Sequence, residues 1–466
     1  VTLPKTASLV VAGLVAAAAM APPEPALAGG LYLPTRGVRP TARGGAFVAG
    51  ADDLHSLWFN PAGLANLGGG ESDKHALLDV GFVSQDVTYE RIDSGFNERD
   101  PVENESSGIA IPTLGLAVDL GDDVVVAGGI YAPYASLGRY AEDGAQRYSL
   151  VDLSDTLIAI TQVSVGYRAT DSLRIGIGLQ NMVSSVVSTL VVNGCPGQTI
   201  CAPEDPEFDT VNQIQQRDYF SPSGVVGIQY DALERLRFGA SFQLPFRVSG
   251  AGELSVRLPT SGFFADATVE GDEATLDFTL PPIARFGVEF DVTERVAVEV
   301  GATLEFWSVH DTLAAKPENV RIENTPGVGS FEIGVLDVAR EFEDTVSVNL
   351  GIEAQPVASL PLTVSAGYAY ETGAAPDEYL TVMTVDGSKH LFAGGAGYKF
   401  GRLGTFVSAA FVRVEDRSVS PDVGVSPQLT PIREDPDVGE ATPTFVNWGD
   451  YQSSWLMIGA GVTADF

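Results

Sequence analysis

The chain has 466 residues and a formal net charge of −34, from 61 acidic and 27 basic side chains, and a charge of that sign argues against nucleic acid as a partner. Hydrophobic residues make up 45% of the chain, yet beyond the N-terminal segment no apolar run is long enough for a transmembrane helix. That excludes a membrane helix bundle and leaves a membrane barrel open, because barrel strands hide their hydrophobicity by alternation.

Residues 1–28 read as an export signal. Lys5 precedes the apolar stretch Ala7–Ala21, three prolines follow, and Ala26-Leu27-Ala28 forms a small-x-small cleavage site before Gly29. No cysteine follows the site, so a lipoprotein anchor is not indicated. Residues 29–72 do not alternate; they are rich in Gly, Ala and Pro and carry few charges. A disordered tail would be more polar. A compact plug inside a barrel fits, because a lumen satisfies irregular backbone that lipid cannot. Asp52 and Asp53 are expected to face inward arginines of the wall such as Arg174, Arg237, Arg285 or Arg295.

From about residue 73 to residue 466, strands of ten or so residues alternate large apolar with small or polar side chains, which puts one class on each face. In Leu173–Gln180, Leu173, Ile175, Ile177 and Leu179 share a face. In Leu236–Val248, Leu236, Phe238, Ala240, Phe242, Leu244 and Phe246 alternate with Arg237, Gly239, Ser241 and Gln243. Arg295–Phe306 and Thr345–Glu353 repeat the pattern. Arg or Lys on a lipid face costs about 2–4 kcal/mol at the midplane, so the apolar faces point outward. A soluble β-sandwich also alternates. The connections separate the two readings: short turns near Gly121–Asp123, Ala169–Ser172, Asp231–Glu234, Asp291–Glu294, Gln355–Leu360 and Gly401–Arg402 alternate with long loops near Ile92–Gly108, Ala135–Asp155, Asn193–Phe220, Ala251–Glu273, Ser308–Arg340, Thr372–Lys389 and Glu415–Tyr451. Short connections on one rim and long ones on the other mark an outer-membrane barrel. The fold class is therefore all-β: a transmembrane antiparallel barrel of about 14 strands with an N-terminal plug.

Cys195 and Cys201 lie in one Gly/Pro loop, and a local disulfide in an oxidising compartment is the expected use. Acidic residues crowd Glu204–Asp209 and Asp435–Asp437. This reads as a solvated surface, with loop-bound divalent cations the alternative; no EF-hand spacing supports a dedicated metal site. No cofactor is expected. The final strand Trp455–Phe466 ends in an aromatic residue, the kind of signal that barrel-assembly machinery reads.

The stretch Arg43-Gly-Gly-Ala-Phe-Val-Ala-Gly-Ala-Asp-Asp53, followed by Trp58-Phe59-Asn60-Pro61-Ala62-Gly-Leu-Ala65, resembles the FadL family of outer-membrane hydrocarbon transporters, with Asn60-Pro61-Ala62 looking like its plug motif. Gly128-Gly129-Ile-Tyr-Ala-Pro133-Tyr in the third strand extends the likeness. The resemblance implies a fourteen-stranded monomeric barrel closed by an N-terminal hatch, passive inward transport of long-chain fatty acids or aromatic hydrocarbons, and lateral release of the ligand at a kink in the third strand. On this reading Trp58, Phe59, Asn60, Pro61 and Ala62 hold the hatch, while Gly128, Gly129 and Pro133 mark the kink, since Gly and Pro break ladders. Arg139, Arg147 and Arg247 are candidates for a ligand carboxylate. Partners are then a hydrophobic small molecule, outer-membrane lipid and the assembly machinery.

Three other readings stay open. A structural or adhesive barrel, or a general porin, needs no plug. An enzyme would need a nucleophile with a positioned base; His55, His75, His310 and His390 are scattered and no GxSxG elbow is present.

Overall fold

The computed structural model describes residues 33, 35–121, 123–195, 201–202, 204–326, 329–429 and 444–466; the export signal read at 1–28 lies outside them. Fourteen antiparallel strands close into a ring: β1 (Lys74–Arg91), β2 (Ile109–Asp119), β3 (Val124–Tyr131), β4 (Leu157–Arg168), β5 (Leu173–Asn193), β6 (Asp209–Leu233), β7 (Leu236–Gln243), β8 (Ile283–Thr293), β9 (Val296–Glu305), β10 (Thr345–Ala354), β11 (Leu362–Glu371), β12 (Lys389–Phe400), β13 (Leu403–Val414) and β14 (Gly449–Asp465). Closure runs from β1 to β14, in register from His75 opposite Asp465 to Arg91 opposite Gly449. With the ring closed there is no open edge, the condition for strands to cross hydrocarbon.

Three of the long loops are shorter than their composition suggests, because strands run through them. β5 and β6 stay paired to Asn193 and Asp209. The strand Phe246–Arg257 pairs with Glu273–Leu280, which in turn pairs with Thr312–Glu318. The wall therefore continues past the apolar band as a second, outer storey. Cys195 is bonded to Cys201 at its rim, beside Phe208 and Phe264.

The two storeys face opposite ways. In β7, Phe238 and Phe242 are exposed while Ser241 and Gln243 are buried; in Phe246–Arg257, Phe246, Val248 and Leu254 are buried while Arg247, Ser249 and Glu253 are exposed. In β8, Phe286 points out and Arg285 in; in Glu273–Leu280, Leu276, Phe278 and Leu280 point in. The switches fall at Leu244-Pro245 and Pro281-Pro282, where proline removes a ladder donor. A bulge in β6 between Asp218 and Ser221, opposite Met182 and Ser184 of β5, makes the same adjustment. Phe246, expected on the outer apolar face, therefore lies inside. The reason is solvent: below the breaks the outside is hydrocarbon, and above them it is water.

Residues 35–68 fill the lower storey from within. Helix α1 (Val38–Ala42), helix α2 (Ser56–Phe59) and a 3₁₀ turn (Pro61–Leu67) are almost wholly buried. Inward-facing glycines on strands all around the ring make room for them. A Cβ on Gly239 would stand 2.5 Å from the Val48 carbonyl, one on Gly351 2.7 Å from the Arg43 carbonyl, and one on Gly166 2.7 Å from the Ala65 nitrogen. Gly176 and Gly395 similarly admit Pro61 and Ala42. Filling one such gap in a packed interior costs about 1–3 kcal/mol. Gly176→Leu is thus expected to keep the closed barrel, read as heat-modifiable migration on a gel, while trypsin cleavage at Arg36 and Arg43 accelerates at least tenfold. A variant as resistant as the parent chain would refute the socket.

Candidate functional site

The inner segment is irregular, and each of its buried backbone groups needs a partner. Polar side chains on the inward faces supply them. Gln229 donates to the Ala49 and Ala51 carbonyls at 3.0 and 2.8 Å, Gln162 to that of Leu57 at 2.6 Å, Ser241 to that of Phe59 at 2.6 Å and Asn349 to that of Gly44 at 2.8 Å. The polar lumen solvates the segment in place of water.

Asn60-Pro61-Ala62 is a turn with a defined task. The Asn60 side chain caps the 3₁₀ turn by accepting from Ala62 N at 3.2 Å. It also donates to the carbonyls of Val48 and of Ile228 in β6, at 2.9 and 3.0 Å. Pro61 takes the first position, where its missing N–H costs nothing. Gly44, at φ +63°, lets the Arg43-Gly-Gly turn lie against Gly367 of β11. Two guanidiniums lie over the Trp58 ring, those of Arg36 at 4.1 Å and Arg285 at 4.5 Å, and Trp58 meets Tyr131 edge-on at 5.3 Å. Phe59 packs edge-on against Phe47 at 5.8 Å.

The charges run opposite to expectation. Cations sit on the segment and carboxylates on the wall. Arg43 contacts Glu289 of β8 at 2.6 Å and Glu299 of β9 at 3.0 Å. Glu299 also accepts the N–H groups of Val48, Ala49 and Gly50 at 2.7, 2.8 and 2.9 Å. Arg39 reaches Glu353 of β10 at 2.7 Å and holds Asp52 and Asp53. The two aspartates thus pair locally, not with Arg174 or Arg295. His55 lies between Asp53 at 2.8 Å and Asp79 of β1 at 2.6 Å. Burial works against its charged form, but the two carboxylates outweigh burial and raise its pKa from 6.5 to about 10.

Above the segment the upper storey surrounds a partly open apolar space. Ile158, Val186, Ile214, Leu254, Leu276 and Phe278 line it, with Leu336 and Met383. Among the described residues one charge faces it. Arg340 is buried, its Nη1 donates to Thr384 at 2.5 Å and its Nη2 meets Met383 Sδ at 2.7 Å, while its Nε has no partner among the described residues. Burial alone lowers its pKa to about 10, with no carboxylate to restore it. His310 lines the same space. Its Nδ1–H donates to the Thr279 carbonyl at 2.9 Å. Burial first, then Arg340, lowers its pKa to about 4, so it is neutral.

β3 stops at Tyr131, and its pairing with β2 covers Leu114–Asp119 alone. Ile109–Thr113 pair with β1 on one side only. The chain turns inward there, and the Pro133 carbonyl accepts Leu33 N at 3.1 Å. A Cβ on Gly129 would stand 2.7 Å from Leu57, whereas Gly128 has ordinary space. A small apolar crevice lies here, between Leu57, Trp58, Thr113, Leu114 and Tyr131.

Of the three arginines expected near a ligand, none lines the apolar space. Arg139 is half-exposed and pairs with Asp152 at 2.9 Å. Arg147 is buried against Asp209 at 2.7 Å and Tyr148 at 2.6 Å. Arg247 points outward, because the proline break reverses its strand's faces. Arg340 carried no signal, since it follows a short strand in a stretch that reads as loop.

A family model described as "Outer membrane protein transport protein (OMPP1/FadL/TodX)" matches residues 19–422. The chain is 23% identical over 314 residues to outer membrane protein P1 of Haemophilus influenzae, an alignment spanning 64% of each protein and hence less than two thirds of that relative. The fold is like that of a Pseudomonas aeruginosa FadL homologue (TM-score 0.75, 15% identity, 94% of this chain and 100% of that one). It is also like the Pseudomonas putida toluene transporter TodX (TM-score 0.60, 16% identity, 93% and 98%).

Two outcomes test the docking of the segment. A histidine whose pKa is raised on docking contributes fully below its free value and loses that contribution as pH climbs through the raised one. Amide-exchange protection at residues 53–60, corrected for intrinsic base catalysis, is therefore expected to fall between about pH 6.5 and 10, and to show no such fall in His55→Gln. Glu299→Ala leaves Arg43 and three N–H groups short of an acceptor, and breaking a buried pair costs about 3–5 kcal/mol. Protection at residues 43–50 should drop accordingly; unchanged protection would show that Glu299 does not hold the segment.

Proposed function

This chain belongs to the outer membrane protein transport family OMPP1/FadL/TodX, and from that premise we propose that it carries hydrophobic small molecules, long-chain fatty acids foremost, passively inward across the outer membrane. The observation that carries the choice of ligand is Arg340. An unpaired buried charge costs several kcal/mol, and here it borders an otherwise apolar space. A fatty-acid carboxylate supplies the missing partner while its chain fills the chamber. Each buried methylene gains about 0.8 kcal/mol, so a chain of about sixteen carbons gains roughly 10 kcal/mol, enough to draw it from water. The concentration gradient sets direction, and no covalent chemistry is needed.

Transport then requires a way past residues 35–68. We read them as a hatch whose Asn60-Pro61-Ala62 turn and ion pairs hold it shut, and the unpaired edge of β2 above Tyr131 as the lateral exit. Trp58 touches both the hatch and the end of β3, which favours their moving together. A monoaromatic hydrocarbon is the second reading, favoured by the apolar lining, but it leaves Arg340 without a counter-charge. The filled lower storey argues against a general porin.

A hydrogen bond to a charged group is worth about 1.5–3 kcal/mol. Arg340→Met is thus expected to weaken binding of a long-chain fatty acid about 10- to 100-fold and to leave its methyl ester unaffected. Equal loss for acid and ester, or no loss for the acid, would assign Arg340 a purely structural role. In planar bilayers the intact protein is expected to be nearly silent; a steady large conductance would mean a porin.

A further inference from the structure

Among the described residues, the lysines and arginines of the extracellular loops and strand extensions pair with carboxylates, with three exceptions. Arg340 faces the chamber. Arg217 and Arg247 face outward and are exposed. In a chain with 61 acidic and 27 basic residues, two neighbouring cations left without a carboxylate call for an external anion.

Their position says which one. Arg247 lies opposite Thr279, just above the proline breaks. Arg217 lies just above Tyr219 and Phe220, which are 68% and 74% exposed. Exposed aromatic side chains at the top of an apolar band mark the membrane–water boundary. Val226 and Leu244, also exposed, continue that band downward. Arg217 therefore stands at the headgroup level of the outer leaflet, and Arg247 at the top of the apolar band, from where its long side chain reaches up to the same headgroups. Of the nearby carboxylates, Glu253 faces outward two residues above Ala251 without an ion pair among the described residues, and two others are engaged elsewhere. Asp218 accepts from Phe220 N at 2.8 Å, Ser221 Oγ at 2.8 Å and Ser249 N at 3.3 Å. Asp277 accepts from Ser249 at 2.7 Å and pairs with Lys316 at 2.6 Å. Gln216 pairs with Gly252, which puts Arg217 beside Ala251. Four residues then separate it from the level of Arg247, about 13 Å along the strand.

We propose that Arg217 and Arg247 form a docking site for the phosphorylated glycolipid of the outer leaflet, one guanidinium to each phosphate of its disaccharide headgroup. Tyr219, Phe220, Val226 and Leu244 lie against its acyl chains. Guanidinium suits the task because its planar fork binds phosphate through two parallel N–H donors. Among the described residues the opposite side of the barrel offers no such site: β1 turns Asp86 and Glu90 outward there, and the outward Arg413 of β13 is paired with Asp416.

The test is native mass spectrometry of the delipidated protein in mild detergent, titrated with a diphosphorylated outer-leaflet glycolipid, its dephosphorylated form, and phosphatidylglycerol. The parent chain is expected to retain one diphosphorylated glycolipid at least tenfold more tightly than either of the others. The double variant Arg217→Ser, Arg247→Ser should lose that preference, Arg217→Lys, Arg247→Lys should keep part of it, and Arg413→Ser should not change it. Heat-modifiable migration checks that each variant is folded. Retention of the preference in the double serine variant, or equal binding of the phosphorylated and dephosphorylated lipids, would overturn the proposal. So would phosphatidylglycerol binding as tightly as the glycolipid. Fatty-acid binding in the same variants should stay at the parent level, which keeps this outcome separate from the role of Arg340.

Discussion

Hydrocarbon offers no hydrogen bonds, and this one constraint organises the molecule. A strand that crosses the membrane must pair along both edges, so the fourteen strands close on themselves. The residues inside the ring then face a space that lipid does not reach, and there the wall can be polar and glycine-rich. Gln162, Gln229, Ser241 and Asn349 use that freedom to satisfy the carbonyls of an irregular segment. An open lumen would leave these groups to water. Here they hold backbone.

The same constraint ends where the lipid ends. Above Leu244-Pro245 and Pro281-Pro282 the outer face meets water, and the strands reverse their polarity within a residue or two. The apolar side chains freed from facing lipid collect inside as the lining of a chamber. A greasy compartment thus forms directly above a polar, filled one. On the proposed reading, a hydrophobic molecule passing down would meet the apolar space first and the filled storey second.

Much of this was legible in the residues, and the misses have physical causes. Period-two alternation and the contrast of short with long connections gave strand number and orientation. The reversal was not readable from alternation. In Leu236–Arg257 the charged residues fall on odd positions throughout, at Arg237, Arg247, Glu253 and Arg257. Below the break odd means inward, and above it odd means outward. Only the proline doublets signal the change. Asn60-Pro61-Ala62 stood out as a motif, but its partners, the Val48 carbonyl and Ile228 of β6, are distant in sequence. Charge pairing failed for a related reason. Asp52 and Asp53 looked available to the wall, yet Arg39, about a dozen residues away, reaches them first. Arg340 matters because it lacks a counter-charge among the described residues, and sequence does not display the absence of a neighbour.

The proline breaks do more than reverse the faces of a strand. They act as a waterline drawn on the hull. The greasy exterior stops near these breaks, with Tyr219 and Phe220 as its painted edge, and on the neighbouring strands an outward Asp277 and Lys316 belong to water. A molecule marked this way cannot float higher or lower to suit a thicker or thinner bilayer without wetting its oil or oiling its charges. Adjustment falls to the lipid, which must thin or thicken locally around the rim at a modest cost per ångström. The protein thereby shapes the patch of membrane that surrounds it.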